Sequence, residues 1–489
     1  VSSKKEQLVR IVGAEYVSDD PAVLDGYARD QSFATPLRPW FVVRPQSQEE
    51  VQALVRWAND TLTPLVPVSS GAPHFHGDTV PSRGEAVIVD LGRMNAIRRI
   101  DRRNKMVVIG PGVTYAQLEP VLAREGLRIS RPLLPRANKS VIASLLERQP
   151  TLIPRLNFLL PEPLRDCGVV WGSGEIAYTG EAGAKSLSLE AQWKSGSVQM
   201  NPHGPAGTDF MRLLTGAQGS MGIVVWASVK CELVPTAYKL FAVPAERLDG
   251  LVELIYRLTR LRLGDELLVL NAAQLASMVE PRADAIGGLQ TRLPAWTLVI
   301  GLGGAAYYPE ERVAVQEGQL RALVQQAGLR LDGDLPCVTN ATLLEALESL
   351  CTSHHWKLKR RGGCQDIFFL TTLDKTPLFV STLQALAVEC GYPASDVGVY
   401  IQPQHQGVSH HVEFSLPFDP GDRAQCARVA ALLERGSTAL IERGAYFSRP
   451  YGPWAQMVYS RDATSTQMLR MVKGILDPRN ILNPGKLCW

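Results

Sequence analysis

What this chain is short of removes several classes of function. Its 489 residues carry a net charge of only +3, which gives no electrostatic reason to expect nucleic acid as a partner. The longest apolar runs, such as Phe368 to Leu370 and Val429 to Leu433, fall far short of a membrane span. The eight cysteines, at positions 167, 231, 337, 351, 364, 390, 426 and 488, form no CxxC pair. An iron–sulfur cluster or structural zinc built from this chain alone is therefore not expected; buried free thiols in a reducing compartment are. Neither GxGxxG nor GxxxxGK[ST] occurs, so Rossmann and P-loop assignments lack support. The start, Ser2 to Arg10, is polar and has no hydrophobic leader region, which makes cytoplasm the expected compartment. Val1 in place of methionine leaves room for a leader already removed.

What is present reads as α/β in the first half. Length alone suggests two or three domains. Short apolar strands are expected at residues 40–44, 64–68, 86–91 and 106–109. Ser47 and Glu50 form a capping box for a helix through Val51, Leu54, Val55 and Ala58. Thr114 opens another, with Leu118, Val121 and Leu122 at helical spacing. Residues 127–166 are proline-rich and read as extended chain with one short helix. Strands return at 167–171 and 222–233. Near Pro235 the pattern changes: helices at 248–258, 310–327, 378–390 and 423–443 alternate with strands at 266–270, 296–302, 366–373, 397–402 and 410–416. That alternation predicts a mainly antiparallel sheet with helices on one face.

Three glycine-bearing segments carry the chemistry. Pro67 to Asp78 follows a strand, and its small residues Ser69, Ser70, Gly71 and Ala72 let backbone N–H groups and hydroxyls face a pyrophosphate. Gly216, Gly219 and Gly222 precede an apolar strand and permit close approach of a planar group or backbone. The tail from Asp477 to Trp489 is rich in turn residues and ends in Trp, as a docked end does. Its Lys486 could neutralise a phosphate or reduced flavin, or be a solvated surface lysine.

In order along the chain, these segments resemble the vanillyl-alcohol oxidase / p-cresol methylhydroxylase (PCMH-type) flavoprotein family. The matching pieces are residues 69–81, 87–95 (VIVDLGRMN), 110–115 (GPGVTY), 140–148, 216–224, 409–412 (SHHV), 444–446 and 477–489. The resemblance implies an α+β fold: a PCMH-type two-part FAD-binding domain over residues 1–236, a cap with a mainly antiparallel sheet covered by helices over 237–440, and a segment 441–489 returning to the FAD domain. It places the pyrophosphate on Ser69, Ser70, Gly71, Ala72, Pro73, His74 and Phe75. Pro111, Gly112, Ser140, Ile142 and Ser144 would line the cofactor; Gly216, Gly219, Gly222 and Ile223 would pack near the adenosine, and Asn483 and Lys486 would close over it. The stretch after Ser140 lacks the glycines that many relatives have there.

The pocket departs from the family's phenol-oxidising members, which hold a phenolate with two tyrosines and an arginine. The corresponding positions here are His76, Tyr446 and Phe447, with Arg449 two residues on as a substitute. An acidic residue near the flavin aligns with the apolar stretch around Leu159. Where several members attach FAD through a His or Tyr, this chain has Gly363-Cys364-Gln365-Asp366, so non-covalent FAD is expected.

His405, His410 and His411 cluster near Glu413. In a strand His411 and Glu413 share a face and His410 points opposite. His411 is open to three readings: a base for the substrate hydroxyl, a divalent-metal ligand as in the related D-2-hydroxyacid dehydrogenases, whose motif is not reproduced, or a structural histidine. No metal is expected. His354 and His355 precede Lys357, Lys359, Arg360 and Arg361; a solvated face is the plain reading, docking of an acidic redox protein or of an anionic substrate the other.

The expected activity is FAD-dependent transfer of hydride from a small-molecule substrate, an alcohol or hydroxy acid or a benzylic-type C–H, to flavin N5. His411, Tyr446, Arg449 and His76 are the candidate catalytic and substrate-contacting residues. Electrons would pass to oxygen or, in the preferred reading, to a separate Fe–S, electron-transfer flavoprotein or cytochrome partner, and a homo- or hetero-oligomer is expected. Two rivals are redox-neutral chemistry of the alkyl-dihydroxyacetonephosphate synthase type and a non-catalytic electron-relay subunit.

Overall fold

The computed structural model describes residues 3–154, 163–184, 188–352 and 355–489; Leu159 and His354 lie outside them. Three sheets organise the chain. In the first, Val87–Asp90 is flanked in parallel by Phe41–Val43 and Leu65–Val68, with Val17–Ser18 antiparallel at one edge. The helix Gln48–Thr61 connects two of these strands and buries Val51, Leu54, Val55, Trp57 and Ala58 against the sheet. Only half of the expected capping box forms at its start. Ser47 Oγ accepts from the Glu50 N–H at 3.2 Å, but the Glu50 carboxylate turns to the Gln46 N–H at 2.6 Å.

The second sheet is antiparallel, in the order Ile97–Asp101, Met106–Ile109, Gly222–Leu233, Leu164–Trp171 and Ile176–Tyr178, with Leu127–Ile129 paired to the far end of the central strand. That central strand is buried on both faces, which explains its unbroken apolar run. Ile223 and Val225 face the first sheet, and a register shift between Val224 and Trp226 resets the alternation. Trp226 therefore joins the same side, while Ala227, Val229 and Cys231 face away.

After Leu233 the chain enters a third, wholly antiparallel sheet of six strands: Ala237–Ala245, Trp296–Gly304, Leu267–Asn271, Gly398–Gln404, Ser409–Phe418 and Gly363–Thr371. Four long helices, Asp249–Leu261, Pro309–Gln326, Thr376–Glu389 and Arg423–Glu442, cover one face through Leu254, Val313, Phe379 and Leu432. Each such buried side chain contributes about 1.5–3 kcal/mol. The other face is not bare, as the single-sided expectation had it: Ala272–Val279 and Asn340–Glu348 pack there against Leu268, Leu270 and Val299. The rest of that face, at Tyr400 and Glu413, looks into a cavity shared with the first two sheets.

The segment after the last long helix starts on the cap and ends on the first sheet. Tyr446 bridges to Leu370, and Leu482 to Leu65. Among the described residues no helix is long and apolar enough to cross a membrane. Of the eight cysteines only Cys167, Cys231 and Cys364 are buried; Cys337 is exposed and the others are half-buried, so the expectation of buried thiols holds for a minority.

Candidate active site

The cavity, about 220 Å³, opens where the loop after strand Leu65–Val68 meets the segment 132–150, the turn before Gly222 and the cap sheet. Ser69, Ser70, His74, Phe75 and His76 line it from the loop, and Pro111 and Ile142 from the second domain half. Gly216, Gly219, Gly222 and Ile223 line it from the turn. Gly71, Ala72 and Pro73 are not on its wall. They form the outer bend, where the Gly71 N–H donates to Asn138 O at 3.0 Å and Asn138 Nδ2 to Ala72 O at 2.8 Å. A Cβ at Gly71 would lie 2.5 Å from Asn138 Nδ2, so this close strap requires glycine. Gly112, Ser140 and Ser144 also stand behind the wall. Ser140 Oγ donates to Pro111 O at 2.6 Å while capping the helix Val141–Leu146, and Tyr115 donates to Ser144 Oγ at 3.0 Å.

Two of the turn glycines act differently. A Cβ at Gly219 would come within 2.4 Å of Pro67 Cγ, so that glycine serves packing. One at Gly216 would meet nothing closer than Ser448 O at 3.9 Å and would occupy cavity space instead. Asn483 and Lys486 do not close over the cavity as expected from the tail. Asn483 Nδ2 donates to Asp78 O and Gln218 O, at 2.8 and 2.7 Å, and Lys486 Nζ to Gly77 O and Val80 O, at 2.7 and 2.8 Å. They bolt the first loop and the glycine turn in place from behind.

The cap supplies the charged end. The basic run expected as a solvated face is instead engaged in the fold: His355 and Lys357 line the cavity, Lys359 donates to Glu280 O, and Arg360 and Arg361 both pair with Asp396. Lys357 Nζ lies 2.6 Å from Asp366 Oδ2 and 2.5 Å from Glu413 Oε1. Burial opposes its charge, but the two carboxylates outweigh that and hold its pKa above the usual lysine range. Glu413 is likewise held below the usual carboxylate range, Lys357 and His411 overcoming its burial. Asp366 goes the other way, burial raising it despite Lys357.

Arg449 reaches the cavity wall, 6 % exposed. Its guanidinium sits 4.1 Å from the Phe368 ring centroid, with Nη2 at 3.5 Å from His411 Nδ1 and Nη1 at 3.5 Å from Glu147 O. His411, 1 % exposed, stands behind Arg449 and outside the main cavity; its Nε2 is 3.5 Å from Glu413 Oε2. It lines a smaller neighbouring cavity with His405. His410 points to the opposite face, edge-on to Tyr256, so the three histidines do not form one cluster. Among the described residues no group of three or more His, Cys, Asp or Glu is arranged to hold a metal ion.

Tyr446 is 63 % exposed and absent from the cavity wall, and Phe447 is core, stacked on Phe369. The tyrosine that does reach the cavity is Tyr451, buried and stacked on His76 at 4.6 Å. No sequence pattern singled it out, because Arg449, Pro450 and Tyr451 form a tight turn in which the Tyr451 N–H donates to Arg449 O at 3.0 Å. Burial drives the imidazoles of His74 and His76 down to about 4 and that of His355 well below its usual value, so all three are neutral. Asp78, also on the wall, is raised to about 7 by burial and by the nearby Glu147.

These residues fit FAD. The His74, Phe75 and His76 N–H groups find no protein acceptor among the described residues, leaving donors on the loop. Leu91, Pro111, Ile142, Leu214 and Val224 give apolar walls for a planar ring, and Gly216 keeps the space open.

Comparison with known proteins agrees. Residues 39–140 match the FAD binding domain model and residues 451–487 the C-terminal domain model of FAD linked oxidases. The chain is 25% identical to a D-2-hydroxyglutarate dehydrogenase of Stutzerimonas stutzeri, covering 99% of this chain and 98% of that protein. It is 23% identical to the glycolate oxidase subunit GlcD of Bacillus subtilis, covering 99% and 96%. In structure it is similar to substrate-bound p-cresol methylhydroxylase, with a TM-score of 0.82 at 19% identity over 99% of this chain and 96% of that one. The fold is thus the PCMH-type FAD-binding fold, the cofactor is FAD, and this chain is an FAD-dependent oxidoreductase.

Proposed function

We propose that this protein oxidises a small 2-hydroxy acid whose carboxylate is held by Arg449. The observation that carries this reading is the buried Arg449 guanidinium, which faces the cavity and has no carboxylate within ion-pair distance among the described residues. An arginine stays charged even where burial lowers its proton affinity, and a buried charge lacking a counter-ion is costly. A substrate carboxylate offsets that cost through a two-pronged hydrogen bond. The two relatives are named for 2-hydroxyglutarate and glycolate, both 2-hydroxy acids.

Bound FAD would supply the acceptor for the hydride leaving the substrate carbon. The chain's part is to hold the substrate and take the proton. Arg449 fixes the carboxylate, and the Tyr451 hydroxyl donates beside it. His76, kept neutral by burial and stacked on Tyr451, accepts the hydroxyl proton. His411 is a positioning residue: it accepts from Arg449 at Nδ1 and directs Nε2 to Glu413. FAD is held without a covalent bond. The cap strand begins Gly363-Cys364-Gln365-Asp366, and burial pushes the Cys364 thiol far above the range where a thiolate forms.

A phenolate is the second reading, favoured by the Tyr451 hydroxyl beside Arg449. Anaerobic addition of substrates to the FAD-loaded protein separates the two. Bleaching of the flavin by 2-hydroxy acids is expected, with Arg449→Met keeping its flavin but losing about a hundredfold or more in kcat/KM. Bleaching by 4-alkylphenols alone would overturn the proposal.

A further inference from the structure

We infer that Arg136 is the counter-ion of the FAD pyrophosphate. This rests on the cofactor and not on the identity of the substrate. Among the described residues, four lysine or arginine side chains line the cavity. Lys139 is paired with Glu147, and Lys357 with Asp366 and Glu413. Arg449 stands at the cap end against His411 and Phe368. Arg136, 7 % exposed, is the remaining one, and no carboxylate lies within ion-pair distance of it among the described residues. It lies beside the loop that carries the His74, Phe75 and His76 N–H donors.

Its placement there is fixed by backbone. The segment from Arg136 to Ser140 is strapped across the loop: the Gly71 N–H donates to Asn138 O, Asn138 Nδ2 to Ala72 O, and the Ser140 N–H to Ser70 Oγ at 3.1 Å. One Arg136 nitrogen, Nη1, donates to Gly71 O, and its guanidinium lies 6.0 Å from the Phe75 ring centroid. Apart from Asn138 Oδ1 at 3.5 Å from that same nitrogen, its other N–H groups have no protein acceptor among the described residues. Two parallel N–H donors on a planar cation match a phosphate's oxygens.

The neighbouring helix shows why a cation is needed. Val141–Leu146 contains no glycine, and Ile142 and Ala143 present side chains to the cavity. A phosphate therefore cannot settle against bare backbone on that side. Charge from Arg136 replaces the amide donors that glycines would expose there.

The test is reconstitution of the full-length apoprotein with FAD, followed by flavin fluorescence over a range of salt concentrations. Arg136→Gln is expected to weaken FAD binding at least tenfold and to flatten its salt dependence, and to raise the ADP concentration needed to block reconstitution by a similar factor. Arg136→Lys, which keeps the charge, should stay nearer to wild type. Asn138→Ala, which loosens the same strap without removing charge, should weaken binding but leave the salt dependence unchanged; this control separates charge from scaffolding if Arg136→Gln folds poorly. An Arg136→Gln protein that binds FAD and ADP like wild type while its substrate KM rises would overturn the inference and place Arg136 at the substrate. So would an Arg136→Lys protein as defective as Arg136→Gln with an unaltered salt slope.

Discussion

His410 shows how a single buried imidazole can set acid sensitivity without touching the active site. It is fully buried, packed edge-on to Tyr256, and neither ring nitrogen has a hydrogen-bond partner among the described residues. Burial drives its pKa down to about 4. In the unfolded chain it would take a proton near its ordinary value, about 6.5. The folded state thus binds fewer protons, so the group weakens the fold as pH falls from about 6.5 toward 4 and has no such effect above that window. His410→Leu removes both the titration and two unsatisfied polar atoms. Thermal melts should show a smaller loss of Tm between pH 7 and pH 5 than in wild type, with catalysis unchanged because His410 faces away from the cavity. A wild-type-like acid slope in the variant would sink this account. His411, also lowered to about 4, differs in having Arg449 and Glu413 as neighbours, so its replacement should raise KM as well as change stability.

Among the elements, the C-terminal segment does the most with the fewest residues. The helix Ala463–Leu476 ends in a buried pair, with Lys473 Nζ 2.5 Å from Asp477 Oδ2. Asp477 also accepts the Ile481 and Leu482 N–H groups at 3.1 and 2.9 Å. This knot aims the next residues so that the Leu65 N–H donates to Ile481 O and the Asn483 N–H to Leu65 O, each at 2.8 Å, and Asn483 and Lys486 reach the two cavity loops. Asp477→Ala leaves Lys473 buried without its partner, which costs about 3–5 kcal/mol. The variant should melt earlier and lose FAD on gel filtration, whereas Lys486→Met should retain the fold and weaken FAD only modestly. Equal effects from the two would show that the knot is not the anchor. A docked tail was legible in the sequence from its turn residues, but its targets were not. Backbone carbonyls such as Asp78 O and Gln218 O carry no residue-type signal. The same limit explains Tyr446: sequence alignment offered a tyrosine, and the bridge to Leu370 turns it to solvent while Tyr451 enters the cavity. Strands with strong alternation, such as Ser409–Phe418, were legible down to which side chain faces which way. The basic run at 357–361 was misread because its partners lie on other elements: Asp366 on the next strand, and Asp396 and Glu413 much farther along the chain.

At the scale of the whole molecule, the cavity lies where the three sheets meet. Its walls come from the first sheet's loop, the glycine turn of the second sheet and the inner face of the cap sheet. Among the described residues, two of its cations, Arg136 and Arg449, lack carboxylate partners, which leaves their charge uncompensated by those residues. A cofactor that supplies anionic oxygens at one end and fills the space between should stabilise all three sheets together. For a ligand bound without a covalent bond, that stabilisation grows with its free concentration, about 2.7 kcal/mol at a hundred times Kd. Two measurements follow from non-covalent FAD. Acid precipitation should leave all the flavin in the supernatant and none in the pellet. Calorimetry of the apoprotein should then show a Tm that climbs steadily as FAD is added back, moving cap and FAD domain as one transition. Flavin in the pellet, or a Tm indifferent to added FAD, would mean that the cofactor is attached to the chain and that the two free cations answer to some other anion.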